Sequence, residues 1–205
     1  MDSVLILCET SGKVRQAFRK KGINAISCDL LPADDNSPYH IQADCLNCLD
    51  TCLDTLDLII AHPPCTAVCI AGSPTYGHGQ RKNAERRRAV DWIIDLWFKS
   101  ISKAARVCLE NPVGILPFKP GQYINPYQFG HDAQKRTGLW LHNLPRLQPT
   151  GFKPATLHPG ESRPRYGNRG ASGQYKLSNT TERGKIKSIT YQGIADAMAH
   201  QWSSL

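Results

Sequence analysis

With 205 residues, 40% of them hydrophobic, the chain can bury a core as one domain and needs no second. Its longest apolar run, Leu56 to Ala61, is interrupted by Asp57 and ends in His-Pro-Pro, well short of the ~20 apolar residues of a membrane span, and the acidic Met1-Asp2-Ser3-Val4 is unlike a basic secretory leader, so a cytoplasmic location is expected. Lys and Arg outnumber Asp and Glu by 25 to 17, and the net charge of +8 suits a polyanionic partner without specifying one.

The first element reads as a strand from Val4 to Cys8, followed by the polar turn Glu9-Thr10-Ser11-Gly12 and a helix with Val14, Ala17 and Phe18 on one face, stopped at Gly22. A second strand, Asn24 to Cys28, ends in Asp29, and Pro32 to Pro38 is a loop. Strand, helix, strand implies a right-handed parallel unit. Cys45, Cys48 and Cys52 form a C-x2-C-x3-C spacing that, with Leu49 and Leu53, describes the apolar face of a short helix; no histidine or second cysteine pair completes a zinc set, so no metal is expected. The eight cysteines together are expected as reduced thiols.

Leu56 to Ala61 is a buried-looking strand that two prolines must end, which puts Cys65 at a strand's carboxyl edge. After a glycine-rich loop comes a helix with Val90, Ile93, Ile94 and Trp97 at i, i+3, i+4, i+7 spacing, then a strand from Ala105 to Leu109 closed by Glu110-Asn111-Pro112. Gly151 to Ser188 is rich in Gly, Pro and Ser and holds eight basic residues against two acidic ones; Thr190 to Trp202 is helix-like, with Ile194, Ala197, Met198 and Trp202 facing a core. These alternations predict an α/β fold with a doubly wound, mostly parallel sheet, in which ligands bind outside the carboxyl ends of the strands. Glu9, Asp29, Cys65 and Glu110 all fall at that edge.

Pro63-Pro64-Cys65 after one hydrophobic strand and Glu110-Asn111 after the next resemble the two catalytic motifs of DNA cytosine-C5 methyltransferases. More closely, the chain resembles short methyltransferase-like proteins encoded by tailed bacteriophages and prophages. That likeness runs through Cys28-Asp29-Leu30-Leu31-Pro32, Ala61-His62-Pro63-Pro64-Cys65-Thr66, Glu110-Asn111-Pro112-Val113-Gly114, Gln128-Phe129-Gly130, Leu139-Trp140-Leu141 and Gly193-Ile194-Ala195 to Gln201-Trp202. The resemblance implies a Rossmann-like class I methyltransferase fold and S-adenosylmethionine as cofactor. It makes Cys65 the nucleophile that adds to C6 of cytosine and Glu110 the acid near N3, which the chemistry requires because C5 is a poor nucleophile until the ring is activated.

It further implies that Glu9 and Gly12 wrap the cofactor's amino-acid end, that Asp29 accepts from the ribose hydroxyls, that Asp44 meets the adenine amine and that Pro63 borders the cofactor. Arg136, in Gln134-Lys135-Arg136-Thr137, matches the family segment that supplies an arginine near the base, and Arg163, Arg165, Arg169 and Lys176 of the basic stretch are candidate nucleic-acid contacts. The expected partner is duplex or single-stranded DNA, or a cytosine nucleotide.

The chain departs from the family in three places: its first turn is poorer in glycine and aromatic residues, His62 stands where glycine is typical, and Thr66 stands where glutamine is common. Residue by residue, other readings stay open: an inert buried thiol for Cys65, a surface acid for Glu110, a helix cap for Asp44, a solvated arginine for Arg136 and a solvated loop for the basic stretch. Amino-group methyltransferases use a related turn with Asp, Asn or Ser before Pro-Pro and an aromatic residue after it; His62 and Cys65 fit thiol chemistry better. The alternative class is a non-catalytic nucleic-acid-binding protein that keeps the fold.

Overall fold

The computed structural model describes residues 1–52, 55–170, 172 and 188–205. In chain order the elements are β1 (Ser3–Leu7), α1 (Lys13–Arg19), β2 (Asn24–Asp29), β3 (His40–Gln42), α2 (Cys45–Thr51), β4 (Leu56–Ala61), a 3-10 turn at Ile70–Gly72, α3 (Ser73–Tyr76), α4 (Asn83–Lys103), β5 (Ala104–Pro112), β6 (Gln122–Ile124), a second 3-10 turn at Pro126–Gln128, β7 (Thr137–His142) and α5 (Gln192–Trp202). The strands form one sheet in the order β3-β2-β1-β4-β5-β7-β6. Neighbours from β3 to β5 pair in parallel, and β7 runs antiparallel to both β5 and β6.

Successive strand residues point to opposite faces, and here both faces are covered. Val4 and Ile6 of β1 and Leu58 and Ile60 of β4 pack with Val14 and Phe18 of α1 and with Ile194, Met198 and Trp202 of α5. Leu5, Leu7, Ile59 and Ala61 face the other way, onto Cys45, Cys48 and Leu49 of α2 and Leu96 of α4. This is the doubly wound, mostly parallel α/β arrangement that the alternation of strand and helix patterns leads one to expect. Cys45 and Cys48 belong to the buried face of α2, as their helical spacing with Leu49 suggests.

Two differences from the sequence reading matter for the edge of the sheet. First, β5 does not end at Leu109: β7 pairs with it from Val107↔His142 to Pro112↔Thr137, so Glu110 and Asn111 lie inside a ladder. Second, β3 and β6 are three residues each, too short for a periodic pattern to mark them.

The C-terminal helix closes one face. Trp202 is fully buried, and its indole N–H donates to the Pro145 carbonyl at 3.2 Å. Truncating so large a buried ring leaves a cavity and an orphaned carbonyl, so Trp202→Ala should lower unfolding free energy by about 3–5 kcal/mol in a denaturant titration; a loss below about 1 kcal/mol contradicts the packing described.

Candidate active site

Register explains the first contact. Ala61 of β4 pairs with Leu109 of β5, so the next residues along, His62 and Glu110, are placed opposite each other on the α5 side of the sheet. The His62 Nδ1–H donates to Glu110 Oε2 at 2.9 Å, with side chains only 6% and 11% exposed. One residue further, the Asn111 amide donates to the Pro63 carbonyl at 3.1 Å and ties the end of β5 to the turn that carries Cys65. The Asn111 Oδ1 and His62 Nε2 atoms are buried without a hydrogen-bond partner among the described residues.

Burial works against the charge of Glu110, but Lys135, the His62 hydrogen bond and a hydrogen bond from Thr137 more than offset it, and the carboxyl is held below its usual range. Glu110 is therefore a carboxylate in the free protein. The Cys65 thiol is pushed up, first by its hydrogen bond to Cys69, then by burial, with Lys135 acting in the opposite sense. Cys69 is brought down to about 6 by the Cys65 hydrogen bond and by the backbone N–H groups of Gly72 and Ala71. The pair is thus split, with Cys65 pushed up and Cys69 brought down.

A cleft of about 300 Å3 opens where β1, β2 and β4 end. It is lined by Cys8, Asp29, Leu30, Asp44, Cys45 and Pro64 and by Ala89, Trp92 and Ile93 of α4. Cys8 reaches it through a left-handed backbone (φ 59), with its N–H and that of Glu9 both on the Cys28 carbonyl. Asp29 accepts the Leu31 N–H at 2.9 Å, and burial raises its carboxyl above the usual range. Asp44 does two things: one oxygen caps α2 through the N–H groups of Leu46 and Asn47, and the residue also lines the cleft. Two carboxyl groups on an otherwise apolar wall suit a ligand with a hydroxylated ring and an amine, and adenosine has both.

Glu9, Gly12 and Pro63 do not line this cleft. Glu9 is buried and accepts the N–H of Val14 at 2.7 Å and of Arg15 at 3.3 Å, so its carboxylate caps α1. Gly12 sits at φ +66, and a Cβ there would strike the guanidinium of Arg15, which is ion-paired with Asp35. Pro63 is buried and serves through its carbonyl, leaving Pro64 at the cleft wall.

Lys135, not Arg136, is the cation that acts on Glu110 and Cys65. Alternation accounts for this, because Lys135 shares parity with buried Thr137, whose hydroxyl donates to the Lys135 carbonyl at 3.1 Å, whereas Arg136 points away and lays its guanidinium 4.1 Å from the Tyr123 ring centre. The described part of the basic stretch docks on this same segment: Gly167 N–H donates to Asp132, and Asn168 exchanges hydrogen bonds with the backbone of Gln134. Arg165 is paired with Glu161 at 2.8 Å, Arg169 donates to the Gln134 carbonyl, and Arg163 is exposed. With Tyr166 they line a second cleft of about 630 Å3. Lys176 lies outside the described residues.

Among the described residues no group of three or more His, Cys, Asp or Glu is placed to hold a metal, and no helix is long and apolar enough to cross a membrane. No protein-family model matches the chain, and no curated protein matches it. Two solved structures of WbdD, one described as a bifunctional kinase-methyltransferase and one as a co-crystal with the kinase inhibitor LY294002, are each 14% identical over 67% of this chain, with a TM-score of 0.39. The chain spans about a third of their length, 35% and 34%.

The thiol assignment is open to direct measurement. With limiting iodoacetamide at neutral pH, peptide mass spectrometry should find Cys69 alkylated before Cys65, with Cys65 gaining reactivity as pH rises; faster labelling of Cys65 at neutral pH contradicts the assignment.

Proposed function

We propose that the chain is an S-adenosylmethionine-dependent methyltransferase that modifies C5 of cytosine in DNA through a covalent bond to Cys65. One observation carries the reading: the turn bearing Cys65 and the part of β5 bearing Glu110 and Asn111 are joined by two hydrogen bonds, next to a cleft rimmed by Asp29 and Asp44. Cys65 adds to C6 of the base. The half-buried thiol gives its proton to solvent as the sulfur adds, and Lys135 favours the charged sulfur. Glu110 takes the N3 edge of the ring: as a carboxylate it accepts from the exocyclic amine, and once protonated it gives N3 the proton that discharges the ring.

Asp29 would hold the cofactor's ribose hydroxyls and Asp44 its adenine amine, with Leu30 and Trp92 as apolar walls. When bound, the cofactor supplies the methyl group from its sulfonium. Arg163 and the cleft it shares with Arg165 and Arg169 support a polyanionic substrate, DNA before a free nucleotide. A second reading, a non-catalytic nucleic-acid-binding protein with this fold, is favoured by one observation: Arg163, Arg165 and Arg169 line a cleft of their own that shares no residue with the one rimmed by Asp29 and Asp44.

Methyl transfer from labelled cofactor to cytosine-containing DNA separates the two. The wild-type product should be 5-methylcytosine, and Cys65→Ser should lower the rate by about 10³-fold or more. Methyl groups on N4, or undiminished activity of the Cys65→Ser protein, contradict the mechanism. In calorimetric titration Asp29→Ala should weaken cofactor binding by roughly 10-fold or more, the cost of one lost charged hydrogen bond; unchanged binding removes the cofactor from this cleft.

A further inference from the structure

Glu110 presents a difficulty that its neighbours resolve. The ring needs a proton at N3, yet in the free protein Glu110 holds none, because Lys135, His62 and Thr137 outweigh its burial. We propose that His62 is a positioning residue that supplies Glu110 with its proton, so that the two side chains work as one acid; this rests on the methyltransferase reading above.

Three features of the geometry support the assignment. The His62 Nδ1 to Glu110 Oε2 contact is 2.9 Å and nearly closed to solvent, so a proton moving between them stays within the pair. The Thr190 hydroxyl, 3.5 Å from the same nitrogen, holds the ring from the α5 side. The Nε2 atom is buried without a partner among the described residues, a desolvation cost that an apolar residue at this turn would not incur. Imidazole is the side chain that both gives and takes a proton around neutral pH, which an amide in the same place cannot do. The other groups facing the pair are Lys135, Thr137, Cys65 and Cys108.

The step balances simply. His62 as imidazolium passes the Nδ1 proton to the Glu110 carboxylate, and Glu110 passes it to N3 as the Cys65 sulfur bonds to C6. The ring ends neutral and His62 neutral. On methyl transfer N3 returns the proton to Glu110, and the base that later takes the C5 proton is outside this relay. Active enzyme must hold one proton on the pair, so the rate falls as pH rises and that proton leaves. With His62 removed, the proton can reside only on Glu110, whose carboxyl Lys135 still draws down, and the alkaline limb moves to lower pH.

The test compares wild type with His62→Asn, which keeps an N–H donor near the Nδ1 position, and with His62→Ala, after thermal melts establish that each variant is folded. We expect both variants to bind cofactor as wild type does, to lose about 10²-fold in kcat at neutral pH and to show an alkaline limb at least one pH unit lower. Rescue by Asn, with the limb unmoved, overturns the proposal in favour of a purely geometric role. A second readout needs no turnover. In nitrogen-15 spectra of the free protein, the wild-type His62 ring should hold both protons at a pH where the Glu110→Gln ring holds one; equal occupancy overturns the proposal. A wild-type protein that yields no 5-methylcytosine defeats the methyltransferase reading, while the spectra still decide whether the pair shares its proton.

Discussion

A carboxylate kept charged inside the protein is the constraint around which the edge of the sheet is arranged. Glu110 is 11% exposed, and an uncompensated charge at such a site is costly enough that a carboxyl normally protonates instead. Here compensation arrives from three separate elements: His62 after β4, Thr137 at the start of β7 and Lys135 just before it. Each depends on strand register, since His62 meets Glu110 because Ala61 pairs with Leu109, and Thr137 arrives because β7 turns back against β5. Moving either strand by one residue would turn these groups to the opposite face.

The same arrangement divides the edge into two compartments. His62, Glu110 and Thr190 lie toward the α5 side, whereas Asp29, Asp44 and Pro64 form a cleft walled by α4 and α2. Cys65 follows the turn that separates them. The docking of Gly167 and Asn168 on residues 132 and 134 joins the basic stretch to the segment that delivers Lys135.

Much of this frame is legible in the sequence because burial leaves a periodic trace. The strands at Leu56–Ala61 and Asn24–Asp29 and the faces of α1, α2 and α5 follow from apolar spacing, and the two prolines after Ala61 locate the edge. What escapes is whatever depends on pairing between distant segments. Leu139-Trp140-Leu141 already reads as strand-like and falls inside β7, but the antiparallel return that makes Glu110 part of a ladder instead of a strand end leaves no trace in the sequence. His62 could be read only as a departure from a family pattern, since its partner lies 48 residues away and is fixed by inter-strand register. Choosing Lys135 over Arg136 needed only parity with Thr137, a signal present in the sequence once the strand there is known. Glu9 and Gly12 illustrate the opposite case: a suitable residue type at the right edge whose side chain or space is taken up by capping α1 and by Arg15.

The central claim is that Cys65 bonds to a cytosine ring, and trapping that bond tests it most directly. DNA in which the target cytosine carries fluorine at C5 cannot lose a proton there, so the methylated adduct cannot eliminate the cysteine. With such DNA and cofactor, intact-mass spectrometry should find the protein heavier by the methylated oligonucleotide, and digestion should place the addition on the peptide containing Cys65. An adduct on another cysteine, or free protein alone in a reaction that methylates unmodified DNA, would contradict the account.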